Sequence, residues 1–213
     1  MTKLKPVVFL DRDGTINIER GYIRQVHNLE LIENAGLAIK QLNDHNILTV
    51  LTSNQTGAAR NYYPLQHIYD LHSSLANLLD EQKAHLDLYL FCPHLGNSDN
   101  PEFSINCNCR KPKTGMLEQA YIQYPEYAKN LCYIIGDKPC DLEFAYNWRK
   151  KLSADFNFLS QNIFVKAILV KTGYGIDTLK WAQTADFKPD FIAPSLLEAS
   201  EFIVEDLKIF EFK

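Results

Sequence analysis

The chain has no long apolar run and no excess of positive charge. No stretch approaches the roughly 20 consecutive apolar residues of a membrane-spanning helix. Residues 1–6 are charged and lack the apolar region of a signal peptide. The 22 Lys and Arg against 26 Asp and Glu give a net charge of −4, which argues against a protein that coats nucleic acid. We therefore expect a cytoplasmic protein whose partners are neither membranes nor nucleic acids.

Cysteine is scarce, and a nucleotide-binding loop is absent. Five cysteines without an export signal argue against a disulfide framework and favour metal ligation. No Gly-rich loop followed by Lys and Ser or Thr is present, so a kinase or NTPase would lack its main part. The 213 residues fit one domain, 1–213, which can bury roughly 70% of the unfolded chain's surface. No dimer-forming stripe is evident, so we expect a monomer.

The most informative stretch begins with four apolar residues, Val7 to Leu10, which predict a buried strand. Asp11 follows the strand directly, and Asp13 is the next residue but one. Residues i and i+2 of an extended chain point the same way, so both carboxylates leave the strand on one side. Gly14 then permits a turn. Two adjacent carboxylates repel each other unless a cation lies between them, which predicts a Mg²⁺ site with oxygen ligands.

Apolar runs alternate with helical periodicity along the chain. The predicted strands are residues 7–10, 47–52, 86–91, 131–135 and 167–170, with a short edge strand at 191–192. The predicted helices are residues 33–45, 64–85, 114–123 and 141–152, with a final helix opened by a capping box at Ser195 to Glu198. This alternation predicts an α/β fold, a three-layer Rossmann-like parallel sheet with helices on both faces. The histidines of the second helix, His67, His72 and His85, are expected on its surface.

Two segments do not fit the repeating pattern. Residues 15–31 are polar and long for a connection, so we expect them to fold over the ligand crevice as a specificity loop. Residues from about 148 to 162 are predicted to form a surface insertion.

Four predicted strand ends bring polar side chains to one edge of the sheet. They are Asp11 and Asp13, Ser53 and Asn54, Arg110 and Lys111, and Asp137 and Lys138. The crevice beyond the carboxyl ends of parallel strands is where ligands bind in open α/β sheets. Carboxylates that hold a cation, together with lysines and hydroxyl donors, suit a phosphate group and its transition state. A carboxylate can itself act as the nucleophile and form an aspartyl-phosphate.

Four segments resemble, in order, the motifs of the haloacid dehalogenase superfamily of phosphatases. They are residues 11–15 (Asp-Arg-Asp-Gly-Thr), 53–55 (Ser-Asn-Gln), 110–112 (Arg-Lys-Pro) and 136–141 (Gly-Asp-Lys-Pro-Cys-Asp). The resemblance implies that Asp11 is the nucleophile and Asp13 the general acid and base. It implies that Ser53 and Lys111 hold the phosphoryl oxygens. It also implies a Mg²⁺ site made by the Asp11 and Asp137 carboxylates and the Asp13 backbone carbonyl, buttressed by Asp141.

A second metal site is predicted between the third strand and the third motif. Cys92, His94, Cys107 and Cys109 supply four ligands, enough to close a tetrahedral Zn²⁺ shell. A closed shell is typical of a structural metal. Cys109 precedes Arg110 directly, so zinc in this loop, residues 92–109, would fix the segment that carries Arg110 and Lys111. The other two cysteines, Cys132 and Cys140, are expected in or near the core.

Within the superfamily, this combination is similar to a family of heptose bisphosphate phosphatases and to the related histidinol-phosphate phosphatase domain. The first resemblance implies removal of the C7 phosphate on the route to nucleotide-activated heptose for surface polysaccharide, with no large cap domain over the site. It implies that substrate is bound by Glu19, Arg20, Gly21, Tyr22, Ser53, Asn54, Gln55, Thr56, Arg110, Lys111 and Lys138. Two departures from the family pattern are Asn61, where glycine is usual, and the longer segment from Trp148 to Gln161.

Three alternatives to the sugar bisphosphate remain open at this point. Histidinol phosphate is the first, although a basic amine would favour extra acidic residues near the entrance, and Arg110 beside Lys111 suits a second phosphate better. A polynucleotide end phosphatase shares the fold, but the acidic balance counts against it. A zinc-stabilised scaffold protein without activity would have lost Asp11 or Asp13, and both are present.

Overall fold

The computed structural model describes residues 5–155 and 162–211, without the side chains of 209–211. A six-stranded parallel sheet has the order β3-β2-β1-β4-β5-β6. Its strands are β1 (Val7–Leu10), β2 (Leu48–Asn54), β3 (Leu88–Cys92), β4 (Leu131–Gly136), β5 (Phe164–Val170) and β6 (Phe191–Ala193). The helices are α1 (Ala35–Asp44), α2 (Gln66–Asp80), α3 (Gly115–Gln123), α4 (Pro139–Ala154), α5 (Gly175–Ala182) and α6 (Leu196–Glu211). The predicted α/β class is confirmed.

Strand β1 lies in the middle of the sheet and is fully buried, as its unbroken apolar sequence predicts. Phe9 pairs with Val50 of β2 on one side and with Ile134 of β4 on the other. The strand order reverses between β1 and β4, because β2 and β3 extend the sheet in one direction and β4 to β6 in the other. Ligands of such sheets bind at this reversal, beyond the carboxyl ends of the strands.

The two faces of the sheet bury separate apolar cores. Val8 and Leu10 point into a core formed with α1, α2 and α6. Val7 and Phe9 point to the opposite face, where α3, α4 and α5 cover them. Alternation of side chains along β1 therefore sends neighbouring residues into different cores. None of the helices in the described part of the chain has both the length and the apolar character needed to cross a bilayer.

Several observed elements differ from the predicted ones; helix α2, for example, ends at Asp80 rather than at residue 85, so His85 lies beyond the helix on which it was predicted. The sequence analysis did not anticipate α5, whose 8 residues make only about two helical turns, too few for a clear periodic pattern. Helix α4 continues to Ala154, because Trp148 is buried and stacks on Tyr121 with ring centroids 5.6 Å apart. Residues 148–154 of the predicted insertion are therefore helical, and residues 156–161 lie outside the described residues.

A further difference concerns His72, which is buried rather than on the surface of α2. Its ring lies against Tyr89 and Phe91, with centroids 5.5 and 5.3 Å away. Burial lowers the pKa of His72 to about 3, because the charged imidazolium is costly in this apolar setting. His72 therefore packs in the core as a neutral ring.

Candidate active site

The carboxyl end of β1 places Asp11 against the ammonium group of Lys111. Lys111 Nζ lies 2.9 Å from Asp11 Oδ1 and 2.6 Å from Asp141 Oδ1, and it donates a hydrogen bond of 2.8 Å to the carbonyl of Thr52. Burial disfavours the charged form of Lys111, but the negative charges of Asp11 and Asp141 outweigh that effect and raise its pKa. Lys111 of the third predicted motif thus places a fixed positive charge beside Asp11 of the first.

Asn54 holds the backbone of Lys111 in position. The Lys111 amide donates to Asn54 Oδ1 at 3.0 Å, and Asn54 Nδ2 donates to the Lys111 carbonyl at 3.1 Å. This two-way pairing joins the end of β2 to the loop that follows the cysteine cluster. The side chain of Asn54 was predicted to bind substrate, but both its amide oxygen and its amide nitrogen form hydrogen bonds with the Lys111 backbone.

Three carboxylates converge beneath the cavity. Asp11, Asp137 and Asp141 each offer an oxygen, and these oxygens all lie within 4.8 Å of one another. Asp137 Oδ2 accepts a hydrogen bond from the Tyr174 amide at 2.8 Å, whereas Oδ1 is buried without a hydrogen-bond partner among the described residues. Burial, together with the charges of Asp11 and Asp141, raises the pKa of Asp137 to about 7. Gly14 permits this close packing, because a Cβ at its φ of +84° would overlap Asp137.

The charges of this cluster fit a divalent cation. Five carboxylates and three cations contact one another here, which leaves an excess of two negative charges. The carboxylates are Asp11, Asp13, Asp137, Asp141 and Glu19, and the cations are Arg12, Lys111 and Lys138. A buried oxygen without a partner and an oxygen-only ligand set are what Mg²⁺ requires.

Asp13 is held differently from the other carboxylates. Arg12 Nη2, Asn17 Nδ2 and Gln55 Nε2 donate to it at 2.9, 3.0 and 2.9 Å. Burial alone would raise the pKa of Asp13, but the charge of Arg12 and these hydrogen bonds outweigh burial and lower it. Its carboxylate is outside the cluster of three, and its backbone carbonyl accepts a hydrogen bond of 3.4 Å from Lys138 Nζ. The sequence analysis gave no role to Arg12 or Asn17.

A cavity of about 300 Å³ opens above these groups. Its lining includes most of the predicted site residues, namely Asp11, Asp13, Glu19, Gly21, Tyr22, Ser53, Asn54, Gln55, Thr56, Arg110, Lys111 and Lys138. Arg20 is not among them: its side chain is 47% exposed and pairs with Glu30 at 2.7 Å. Asp137 lies fully buried below the floor.

Two lining residues, Cys140 and Tyr174, were not predicted as site residues. Tyr174 follows the carboxyl end of β5, and the same strand-end argument that found Asp11 could have found it. Cys140 is the second residue of α4 and was expected in or near the core; it is half-buried at the cavity wall. The aromatic ring of Tyr22 on the opposite loop contacts Thr56, with 3.3 Å between their hydroxyl oxygens.

The cysteine cluster has the dimensions of a tetrahedral metal shell. Cys107 Sγ lies 3.4 Å from Cys92 Sγ and 3.2 Å from Cys109 Sγ, and His94 Nδ1 lies 3.3 Å from Cys109 Sγ. Ligands about 2.3 Å from a central Zn²⁺ would be roughly 3.8 Å apart, so a small expansion accommodates the ion. The sulfurs are too far apart for disulfide bonds. Arg110 Nη1 donates to the His94 carbonyl at 3.2 Å, which ties the cluster to the cavity wall.

The fold and its match to a solved structure define the class of protein. No family model matches the sequence. The fold matches the solved structure of a D,D-heptose 1,7-bisphosphate phosphatase from B. bronchiseptica, complexed with magnesium and phosphate, with a TM-score of 0.75 at 22% identity. That match covers 95% of this chain and 99% of the other. Together, the sheet order and the four converging motifs define a protein with the haloacid dehalogenase fold.

Sequence relatives then identify the family. A D-glycero-D-manno-heptose-1,7-bisphosphate 7-phosphatase from Thermosynechococcus vestitus is 35% identical, over 95% of this chain and 97% of its own. A D-glycero-beta-D-manno-heptose-1,7-bisphosphate 7-phosphatase from Haemophilus ducreyi is 42% identical over 139 residues, covering 65% of this chain and 75% of its own. The chain belongs to the family of D-glycero-D-manno-heptose-1,7-bisphosphate 7-phosphatases.

Proposed function

We propose that the protein is a Mg²⁺-dependent phosphatase that removes the C7 phosphate of D-glycero-D-manno-heptose 1,7-bisphosphate through an aspartyl-phosphate. The observation that carries this proposal is the meeting of Asp11, Lys111, Asp137 and Asp141 at one end of the sheet. A nucleophilic carboxylate beside a buried ammonium and an orphaned carboxylate oxygen suits phosphoryl transfer better than it suits a structural role.

The nucleophile is Asp11, whose Oδ1 is held by Lys111. One carboxylate oxygen of Asp11 attacks phosphorus while the other would help to hold Mg²⁺, and the bond from phosphorus to the sugar oxygen breaks. Lys111 neutralises charge on the phosphoryl oxygens. Ser53 Oγ accepts a hydrogen bond from Gln55 Nε2 at 2.8 Å, so its own proton is free to be donated to a phosphoryl oxygen. Bound by Asp11, Asp137 and the Asp13 carbonyl, Mg²⁺ would supply positive charge for the transition state.

Asp13 handles the protons of both steps in this proposal. It donates one to the departing alkoxide, then accepts one from the water that hydrolyses the aspartyl-phosphate. Arg12 and Gln55 keep the pKa of Asp13 low in the structure described. The negative charge of an arriving phosphate acts in the opposite direction and favours the protonated form. Substrate binding therefore favours the protonated form of Asp13, which is the form that acts as the general acid.

The cavity wall favours a sugar bisphosphate over an amine. Glu19 is an acidic residue there that could attract an amine, but Lys138 neutralises it at 2.6 Å. Arg110 lines the cavity and carries a positive charge that suits a second phosphate. The cysteine cluster holds Arg110 in place through the His94 carbonyl. We therefore propose a structural role for Zn²⁺ bound by Cys92, His94, Cys107 and Cys109.

A substrate panel tests this function directly. We expect phosphate release from both anomers of the heptose bisphosphate to exceed that from fructose 1,6-bisphosphate, histidinol phosphate and a 3′-phosphorylated oligonucleotide by at least about tenfold in kcat/KM. Phosphorus NMR of the product should show the C1 phosphate retained. The Arg110→Met variant should lose most of the preference over histidinol phosphate, which has one phosphate. Faster release from histidinol phosphate by the unaltered protein would contradict the assignment.

Metal binding should depend on pH through Asp137. Its pKa of about 7 lies above the ordinary 3.8, so without Mg²⁺ the contribution of Asp137 to the stability of the fold decreases as pH rises from about 4 to about 7. Mg²⁺ requires the ionised carboxylate and removes this penalty. We expect excess MgCl₂ to raise the melting temperature more at about pH 8 than at about pH 5.5, measured by scanning fluorimetry. The Asp137→Asn variant should lose this difference; an equal shift at both pH values in the unaltered protein would contradict it.

A further inference from the structure

The ammonium group of Lys138 lies among the oxygens proposed to bind Mg²⁺. Its Nζ is 3.4 Å from the backbone carbonyl oxygen of Asp13. It is also 3.7 Å from Asp137 Oδ1 and 4.0 Å from Asp11 Oδ2. The same three residues are the proposed metal ligands, and Asp137 Oδ1 is the oxygen that has no hydrogen-bond partner among the described residues. Lys138 therefore faces the metal site as a cation of the protein itself.

Lys138 also has partners on the side away from these oxygens. Glu19 Oε2 lies 2.6 Å from Nζ, and the ring centroid of Tyr174 lies 5.2 Å away. The other oxygen of Glu19 accepts a hydrogen bond from the Gly21 amide at 2.7 Å, which orients the carboxylate toward Lys138. The Lys138 side chain is 31% exposed, and its ammonium is closer to Glu19 than to any of the proposed metal ligands.

Mg²⁺ and the ammonium cannot share the Asp13 carbonyl without strong repulsion. A Mg²⁺ bound about 2.1 Å from that oxygen would lie at most roughly 5.5 Å from Nζ in its present place. Two cations this close, partly shielded from water, repel each other. The negative charge of Glu19, 2.6 Å from the ammonium, offsets part of this repulsion.

We propose that Lys138 is a built-in competitor of the catalytic Mg²⁺. Its ammonium shares the Asp11, Asp13 and Asp137 oxygens with the metal, and the ion pair with Glu19 offsets part of the ammonium's charge. This inference rests on the Mg²⁺ site of the proposed function. Lys138 thereby weakens Mg²⁺ affinity and stabilises the carboxylates without metal, whereas Glu19 strengthens Mg²⁺ affinity because it neutralises the ammonium.

The first test compares two variants that remove the same charge. Lys138→Met should bind Mg²⁺ about tenfold or more tightly than the unaltered protein, measured by isothermal titration calorimetry with MgCl₂ in phosphate-free buffer. The control is Lys171→Met, which removes an exposed lysine just after β5 and should change the affinity less than about threefold. Lys138→Gln provides a second variant if Lys138→Met does not fold. Equal or weaker affinity in the folded Lys138 variant than in the Lys171 variant would overturn the inference.

The second test uses Glu19. We expect Glu19→Gln to weaken Mg²⁺ binding about tenfold when Lys138 is present and less than about threefold when Lys138 is methionine, because its effect operates through the ammonium. Equal effects of Glu19→Gln in both backgrounds would overturn this inference while leaving the proposed function intact. Absence of Mg²⁺ binding by every protein in the set, the unaltered one included, would instead overturn the proposed metal site and this inference with it.

Discussion

Replacing Asp11 by asparagine is expected to lower phosphate release from the heptose bisphosphate by at least about 10³-fold. An amide is a poor nucleophile and cannot form the acyl phosphate. The variant also loses one of the carboxylates that converge on Asp137 and leaves Lys111 paired with Asp141 alone. The loss should be in kcat, because the removed interaction is made with the reacting phosphorus.

The fold should survive this change. Asp11 contributes one of three mutually repelling carboxylates, so asparagine relieves repulsion while it removes an ion pair with Lys111. We expect unchanged zinc content and a melting temperature within a few degrees of the unaltered protein. The matched control is Asp44→Asn, on the exposed end of α1, which should retain full activity. Activity of Asp11→Asn equal to that of this control would rule out the covalent mechanism.

The convergence at the sheet edge follows from local sequence rules. Each buried strand is an apolar run followed at once by a polar residue, so the strand and its functional residue are predicted together. Parallel strands present their carboxyl ends at one edge, which brings Asp11 of β1 and Asp137 of β4 together although 126 positions separate them. The meeting of Cys92, His94, Cys107 and Cys109 was predictable in the same way, since ligand type and spacing alone define the candidate shell.

The orientation of side chains beyond the strands was not predictable. Arg12 lies between the two key carboxylates in sequence, yet it is 2% exposed and bonds to Asp13, because Asn17 and Gln55 complete a pocket around that carboxylate. Arg20 lies in the predicted specificity loop but turns outward to Glu30. Both outcomes depend on contacts between loops, which leave no periodic signal in the sequence.

The same limit applies to electrostatics. Two lysines were expected to face the phosphate, but they have different surroundings in the structure. Lys111 is 3% exposed and fixed by Asp11 and Asp141. Lys138 is partly exposed and divides its contacts between Glu19 and the proposed metal ligands. Sequence spacing does not distinguish the two lysines, whereas their burial and the distances to their partners do.

The second large effect is expected at the cysteine cluster. Cys107→Ser should abolish zinc binding and lower the melting temperature by roughly 6–12 °C, the range for a loss of about 3 kcal/mol in a chain of this size. Cys107 lies within 3.4 Å of both other cysteine sulfurs, so its loss opens the centre of the shell. Zinc content by atomic emission and melting by scanning calorimetry measure the two effects.

Kinetics should show which part of the active site the cluster supports. Arg110 is tied to the cluster through the His94 carbonyl, whereas Lys111 is also anchored by Asn54 outside it. We therefore expect Cys107→Ser to raise KM for the bisphosphate about tenfold while kcat falls less than about threefold. Cys132→Ala, which removes a buried thiol of β4, should retain its zinc and leave KM unchanged. A kcat loss without a KM change, or no zinc in the unaltered protein, would show that the cluster does not position Arg110 through a metal.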